Sequence, residues 1–147
     1  MDPRFVLAIV VQESKGCVRA PTTTGSHSNP GLMQSDQGMG SCNTNDTMQD
    51  PCPQSEIHQM ILDGVAGSNL DGDNLVYMLN LAAEMGTSDI AQAYYRAARF
   101  YNSGPDSLKD NMELDSPGAT RCYCSDIANR LLGWVNSPTT CTLDTIG

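Results

Sequence analysis

The chain has 147 residues, a length that suits one domain with its own core, and residues 1–147 are read as a single domain. Its 39% hydrophobic and 17% charged content is that of a globular protein, and no apolar run reaches the roughly 18 residues that a membrane span requires. A formal net charge of −9 leaves no basic stripe for nucleic acid and no attraction to anionic membranes.

The first predicted element is an apolar helix with Phe5, Val6, Ile9 and Val10 at helical spacing and Pro3 in its first turn. The run Phe5–Val11 lacks the small-residue cleavage pattern of a signal peptide, so it reads as part of the mature fold. Lys15-Gly16 ends it, with the glycine expected at the C-terminal cap. The helix delivers Gln12-Glu13-Ser14 at its last turn. A carboxyl there, partly withdrawn from water, has its charged form disfavoured and can act as a general acid near neutral pH.

From Cys17 to Gln54 the pattern is that of a long loop rich in Pro, Gly, Ser, Thr and Asn, with turns at Asn29-Pro30-Gly31 and Gly38-Met39-Gly40. Loops of this length inside a compact domain are commonly functional. Six cysteines (Cys17, Cys42, Cys52, Cys122, Cys124 and Cys141) point to a disulfide framework and an oxidising compartment, with pairing left open. A bridge from Cys17 to Cys42 or Cys52 would pin the loop against the first helix. Cys122 and Cys124 with His27 and His58 lack the paired spacings of a structural zinc site, so no metal and no cofactor is expected. Asn45-Asp46-Thr47 is a glycosylation sequon, meaningful in a secreted protein.

Helical pattern resumes after Pro53 with Ile57, Met60, Ile61 and Val65 on one face. The oxygen-rich run Asn69–Asn74 reads as a capped turn, since the twelve-residue calcium-loop pattern is incomplete. Leu75, Met78, Leu79, Ala82 and Ala83 mark the next helix. Ser88 is expected to cap another, carrying Ile90, Ala93, Tyr94, Ala97, Ala98 and Tyr101 and stopping at Ser103-Gly104-Pro105. The stretch Asp106–Thr120 reads as irregular. A last helix places Cys124, Ile127, Leu131, Leu132 and Trp134 on its apolar side and ends near Pro138. No period-two run of β-branched residues is present, so the class is mainly α with one long loop.

Three short signals stand in order: Glu13-Ser14, then Gly31-Leu32-Met33-Gln34, then Phe100-Tyr101-Asn102-Ser103-Gly104. In that order and at these distances the chain resembles glycoside hydrolase family 23, the goose-type lysozymes and soluble lytic transglycosylases, and more narrowly a secreted fungal branch of it. The resemblance implies a lysozyme-like, mainly α domain whose long disulfide-pinned loop follows the catalytic helix. It implies a monomeric extracellular muramidase that cuts the β-1,4 bond between N-acetylmuramic acid and N-acetylglucosamine in peptidoglycan.

On the same resemblance Glu13 is the catalytic acid and Ser14 a polar contact to substrate. Met33 lines a sugar subsite, Gln34 hydrogen-bonds beside the cleaved bond, and Tyr101 with Asn102 flanks the acid. His27 and Asn29, just before the Gly31–Gln34 turn, are candidate cleft residues. Asp36 stands at the goose-type position for placing a water, and an inverting pair of carboxyls needs about 6.5–9.5 Å between them for that water. The pattern's earlier acidic residue is missing, because no Asp or Glu lies between Glu13 and Asp36. Lytic transglycosylation, in which the substrate's own 6-hydroxyl closes the ring, and chitinase-type cleavage are the alternatives. A non-catalytic module that binds chitin or peptidoglycan is a third reading. The sequence pI near 4.3 forgoes long-range attraction to anionic walls at neutral pH and fits acidic conditions or neutral chitin.

Overall fold

The structure, a computed structural model, describes residues 1–45, 47–67, 73–86, 89–111, 114, 120–136 and 138. Asp46 of the sequon, most of the Asn69–Asn74 run, Ser88 and Cys141 lie outside this set. Among the described residues the protein is mainly helical. Its elements in chain order are α1 (Pro3–Ser14), β1 (Thr23–Thr24), β2 (Ser28–Asn29), β3 (Asn43–Thr44) and β4 (Thr47–Met48), followed by α2 (Gln54–Val65), α3 (Leu75–Glu84), α4 (Ile90–Ser103) and α5 (Tyr123–Leu131).

Helix α1 starts where the Asp2 carboxylate accepts the Arg4 N–H at 2.9 Å, satisfying one of the first-turn donors, while Pro3 gives up none. It ends on Lys15, which takes the left-handed conformation at φ 55° and bonds back to the Val11 carbonyl. The capping position is therefore Lys15, with Gly16 (φ 76°) continuing the turn. Phe5, Ala8, Ile9 and Val10 are buried in a core that also holds Leu32, Met33, Met60, Tyr123, Cys124 and Ile127. The Phe5 ring meets Tyr94 of α4 edge-on, with centroids 4.9 Å apart. A second core, built on Met78, Ala82, Ala93, Ala97 and Phe100, joins α3 to α4.

The segment between α1 and α2 contains two small antiparallel hairpins. Thr23 pairs with Asn29 and Thr24 with Ser28, and Asn43 pairs with Met48 and Thr44 with Thr47. These two-residue strands are too short to leave an alternating pattern. Cys42 and Cys52 form a disulfide across the second hairpin. Cys17 is exposed and unpaired, so the bridge does not reach back to the first helix.

What fixes the loop instead is α2. The buried Asp63 carboxylate accepts the Met39 and Gly40 N–H groups at 2.8 Å each and the Gln59 amide at 2.7 Å. Gly64 leaves a notch that Met33 fills: a Cβ there would lie 2.5 Å from the Met33 sulfur. Gly31 combines φ 77° with a backbone so close to α2 that a Cβ would sit 2.7 Å from Met60 Cγ.

Three further differences concern the C-terminal half. Residues Pro105–Asn111 form a 3-10 helix where irregular chain was expected, and Asp89 caps α4 by accepting the Gln92 N–H at 2.9 Å. Helix α5 ends at Leu131, and Leu132 and Trp134 are 77% and 62% exposed. Its buried face is Tyr123, Cys124, Asp126 and Ile127. Cys124 and Ile127 are thus on the inner side as the helical spacing predicts, whereas Leu131, Leu132 and Trp134 are exposed because the helix stops before Pro138.

Replacing Asp63 with Ala strands two backbone donors under the loop, at a cost of about 1–3 kcal/mol for each unsatisfied group. The Asp63→Ala variant should therefore unfold at markedly lower urea concentration than the parent protein, and a change within error would show that something else holds the loop.

Candidate active site

A cleft of about 470 Å³ opens between the end of α1, the first hairpin with the Gly31–Asp36 segment, and the C-terminal turn of α4. Glu13, His27, Asn29, Gln34, Asp36, Tyr101 and Asn102 all line it. Thr23, Ser26, Asp73, Met78, Phe100, Ser103 and Gly104 complete the walls. The volume lies in the range of small-ligand sites, and the side chains are mostly hydroxyls, amides and carboxylates.

Glu13 occupies the last turn of α1 and is partly buried, with one side toward the cleft. The Tyr123 hydroxyl, on the first residue of α5, donates to Glu13 Oε1 at 2.5 Å. Two effects oppose one another here. Burial disfavours the carboxylate and raises the pKa, while the phenolic hydrogen bond favours it. Burial wins, and the pKa is pushed up to about 7. At mildly acidic pH this group holds a proton that an ordinary glutamate would have released.

Tyr101 reaches from α4 to the opposite wall. Its hydroxyl donates to the Met33 carbonyl at 2.9 Å and lies 3.4 Å from Ser35 Oγ. Burial first, and then the charges of Glu13, Asp63 and Asp36, hold its proton on well above the usual range. The same holds for Tyr123, through burial and the adjacent Glu13. Both phenols therefore serve as hydrogen-bond donors and not as bases.

The amides near the cleft are braces. Gln34, at φ 47°, donates to the Pro21 and Gly31 carbonyls at 3.2 and 3.0 Å and accepts from Thr23 Oγ1 at 2.7 Å. Asn102 Oδ1 accepts from Arg99 Nη2, Ser103 Oγ and the Thr120 N–H at 3.0–3.1 Å. Also on the cleft lining, His27 Nδ1 lies 2.9 Å from Asp36 Oδ1. The Gln37 amide donates to Asp36 Oδ2 at 3.2 Å.

Two of the sequence-predicted residues are elsewhere. The Ser14 hydroxyl turns back onto its own helix, donating to the Val10 carbonyl at 3.1 Å and accepting the Gly16 N–H at 3.2 Å. Met33 is fully buried beneath the turn, in the notch of α2, and its backbone carbonyl, not its side chain, serves the site. Conversely, sequence reasoning missed Tyr123. It lies four residues before Ile127, so the helical period places it in the core, but nothing local says that its hydroxyl meets a carboxyl 110 positions away. Among the described residues no group of three or more His, Cys, Asp or Glu side chains is placed to hold a metal ion.

No protein-family model, curated protein or solved structure matches this chain. The cleft is described by its own side chains: the Glu13 carboxyl, its pKa pushed up to about 7, and the His27–Asp36 pair on the same lining.

A raised carboxyl pKa has a definite stability signature. As pH rises from about 4.5, the unfolded chain releases the Glu13 proton while the folded protein keeps it up to about 7. Folding thus becomes less favourable through that window, by up to about 3 kcal/mol, and the penalty is constant above it. Glu13→Gln removes this penalty. Urea unfolding at pH 4 and pH 8 should show the two proteins alike at the lower pH and the Gln variant more stable at the higher one. Tyr123→Phe removes the one hydrogen bond that favours the carboxylate, so Glu13, titrated by NMR, should move further upward.

Proposed function

We propose that this protein is a secreted, lysozyme-like muramidase that hydrolyses the β-1,4 bond between N-acetylmuramic acid and N-acetylglucosamine. The observation that carries the reading is Glu13: a carboxyl whose pKa is pushed up to about 7 at the edge of a polar cleft. Breaking a glycosidic bond needs a proton at the leaving oxygen, delivered as an oxocarbenium-like transition state develops. Glu13 supplies that proton, and its pKa sits where donation at mildly acidic pH is efficient. The resemblance of Glu13-Ser14, Gly31–Gln34 and Tyr101–Gly104 to family 23 hydrolases supports the same assignment. The hydroxyl- and amide-rich walls suit a ligand that carries hydroxyl and acetamido groups.

Asp36 lines the cleft with Glu13, and we assign the placing of water to its side of the groove. Lytic transglycosylation is the second reading, favoured by the absence of any other acidic residue between Glu13 and Asp36. The disulfide fits an oxidising, extracellular setting. The net charge of −9 favours work at acidic pH, where repulsion from an anionic wall is weaker.

Purified protein should clear a suspension of bacterial wall, with activity falling as pH rises through about 7 as Glu13 loses its proton. Glu13→Gln should reduce clearing by about 10²–10⁴-fold while the fold persists. Retained clearing in that variant would remove Glu13 from the reaction. Mass spectrometry of the fragments separates the two chemistries, since hydrolysis leaves reducing ends and transglycosylation leaves 1,6-anhydro ends.

A further inference from the structure

We infer that His27 is the base that activates the attacking water, and that Asp36 is its positioning residue. This inference rests on the glycosidase reading of the same cleft. The missing second carboxylate between Glu13 and Asp36 leaves that reading short of a base, and the geometry points to an imidazole in its place.

Asp36 has both oxygens engaged: Oδ1 with His27 Nδ1 at 2.9 Å and Oδ2 with the Gln37 amide at 3.2 Å. A carboxylate only accepts, so Nδ1 carries a hydrogen, and in the neutral imidazole the other ring nitrogen, Nε2, holds the lone pair. Nε2 has no hydrogen-bond partner among the described residues. The His27 side chain is 50% exposed against 26% for Asp36, which makes the imidazole the outer member of the pair on the cleft wall. An acid that fixes the tautomer and orientation of a histidine base is a recurring device in hydrolases.

The pair is also held in place. His27 lies in the turn of the first hairpin, where its carbonyl accepts the Gly25 N–H at 2.9 Å. The Ser28 carbonyl accepts the Gln37 N–H at 2.9 Å, and Thr23 Oγ1 donates to Gln34 at 2.7 Å. Both arms of the hairpin are thus tied to the segment that carries Asp36. A surface ion pair formed by chance would not require this bracing.

The step balances without a further reactant. Water loses a proton to His27 Nε2 as its oxygen bonds to the anomeric carbon. The bond from that carbon to the leaving oxygen breaks, and its electron pair takes the Glu13 proton. The products are a hemiacetal of inverted configuration and a free 4-hydroxyl, and exchange with solvent returns the proton from His27 and reloads Glu13.

The test is the rate of reducing-end formation on peptidoglycan and on chitin oligomers by the native protein, His27→Ala, Asp36→Asn, the double variant and Glu13→Gln. His27→Ala should lose on the order of 10²-fold or more. Added imidazole should restore part of it, which a purely structural role for His27 would not allow. The double variant should lose little beyond His27→Ala alone, because Asp36 acts through the ring. Near-native hydrolysis by His27→Ala with an inactive Glu13→Gln would overturn the inference and leave the glycosidase reading standing. Products with 1,6-anhydro ends from the native protein would do the same, since no water is then activated. Native protein without turnover on either substrate would remove both.

Discussion

The site depends on holding one carboxyl half out of water at the junction of two helices. Glu13 comes to the end of α1 on a helix whose Phe5, Ala8, Ile9 and Val10 are buried, so its backbone is fixed by the core and not by its own polar end. Helix α5 then closes over it from the far end of the chain, and among the described residues Tyr123 is the one donor to the carboxyl. One neutral donor does not offset the lost hydration, which leaves the protonated form favoured up to about pH 7. Had an arginine stood where Tyr123 stands, the same burial would have yielded an ordinary ion pair and no acid.

The opposite wall answers a different physical demand. A loop of this length carries backbone groups that must find partners, and α2 supplies them through the Asp63 carboxylate and through the close approach that Gly40 and Gly64 permit. Gln34 and Asn102 lie on the cleft surface, yet each spends its amide on neighbouring chain. Their contribution is to hold the walls at a fixed distance. Internally satisfied amides of this kind keep the walls from collapsing onto one another when water is displaced.

Charge and acidity fit together in this arrangement. Glu13 keeps its proton up to about pH 7, and under the proposed function the acidic side is also where a chain of net charge −9 would be least repelled by an anionic wall. Tyr101, under the influence of Glu13, Asp63 and Asp36, keeps its proton throughout and maintains its bond to the Met33 carbonyl. The protonation state of Glu13 therefore changes with pH while the bond from Tyr101 to the Met33 carbonyl persists.

The residues of the sequence alone determined the helical class, the apolar α1 that ends in Glu13, the glycine-dependent turn at Gly31–Gln34 and the stop of α4 at Gly104. Caps, helical periodicity and positive-φ glycines are written in neighbours a few positions apart, which is why these were legible. Tertiary structure decided the rest: Tyr123 on Glu13, Cys42 with Cys52, the His27–Asp36 pair across the hairpin, and the outward turn of Leu132 and Trp134. Ser14 and Met33 mark the boundary, since their place in a motif was readable but the direction of each side chain was not. Those outcomes hinge on how distant elements dock and in what register, and no local pattern encodes which of several competing partners a side chain meets once the core has closed.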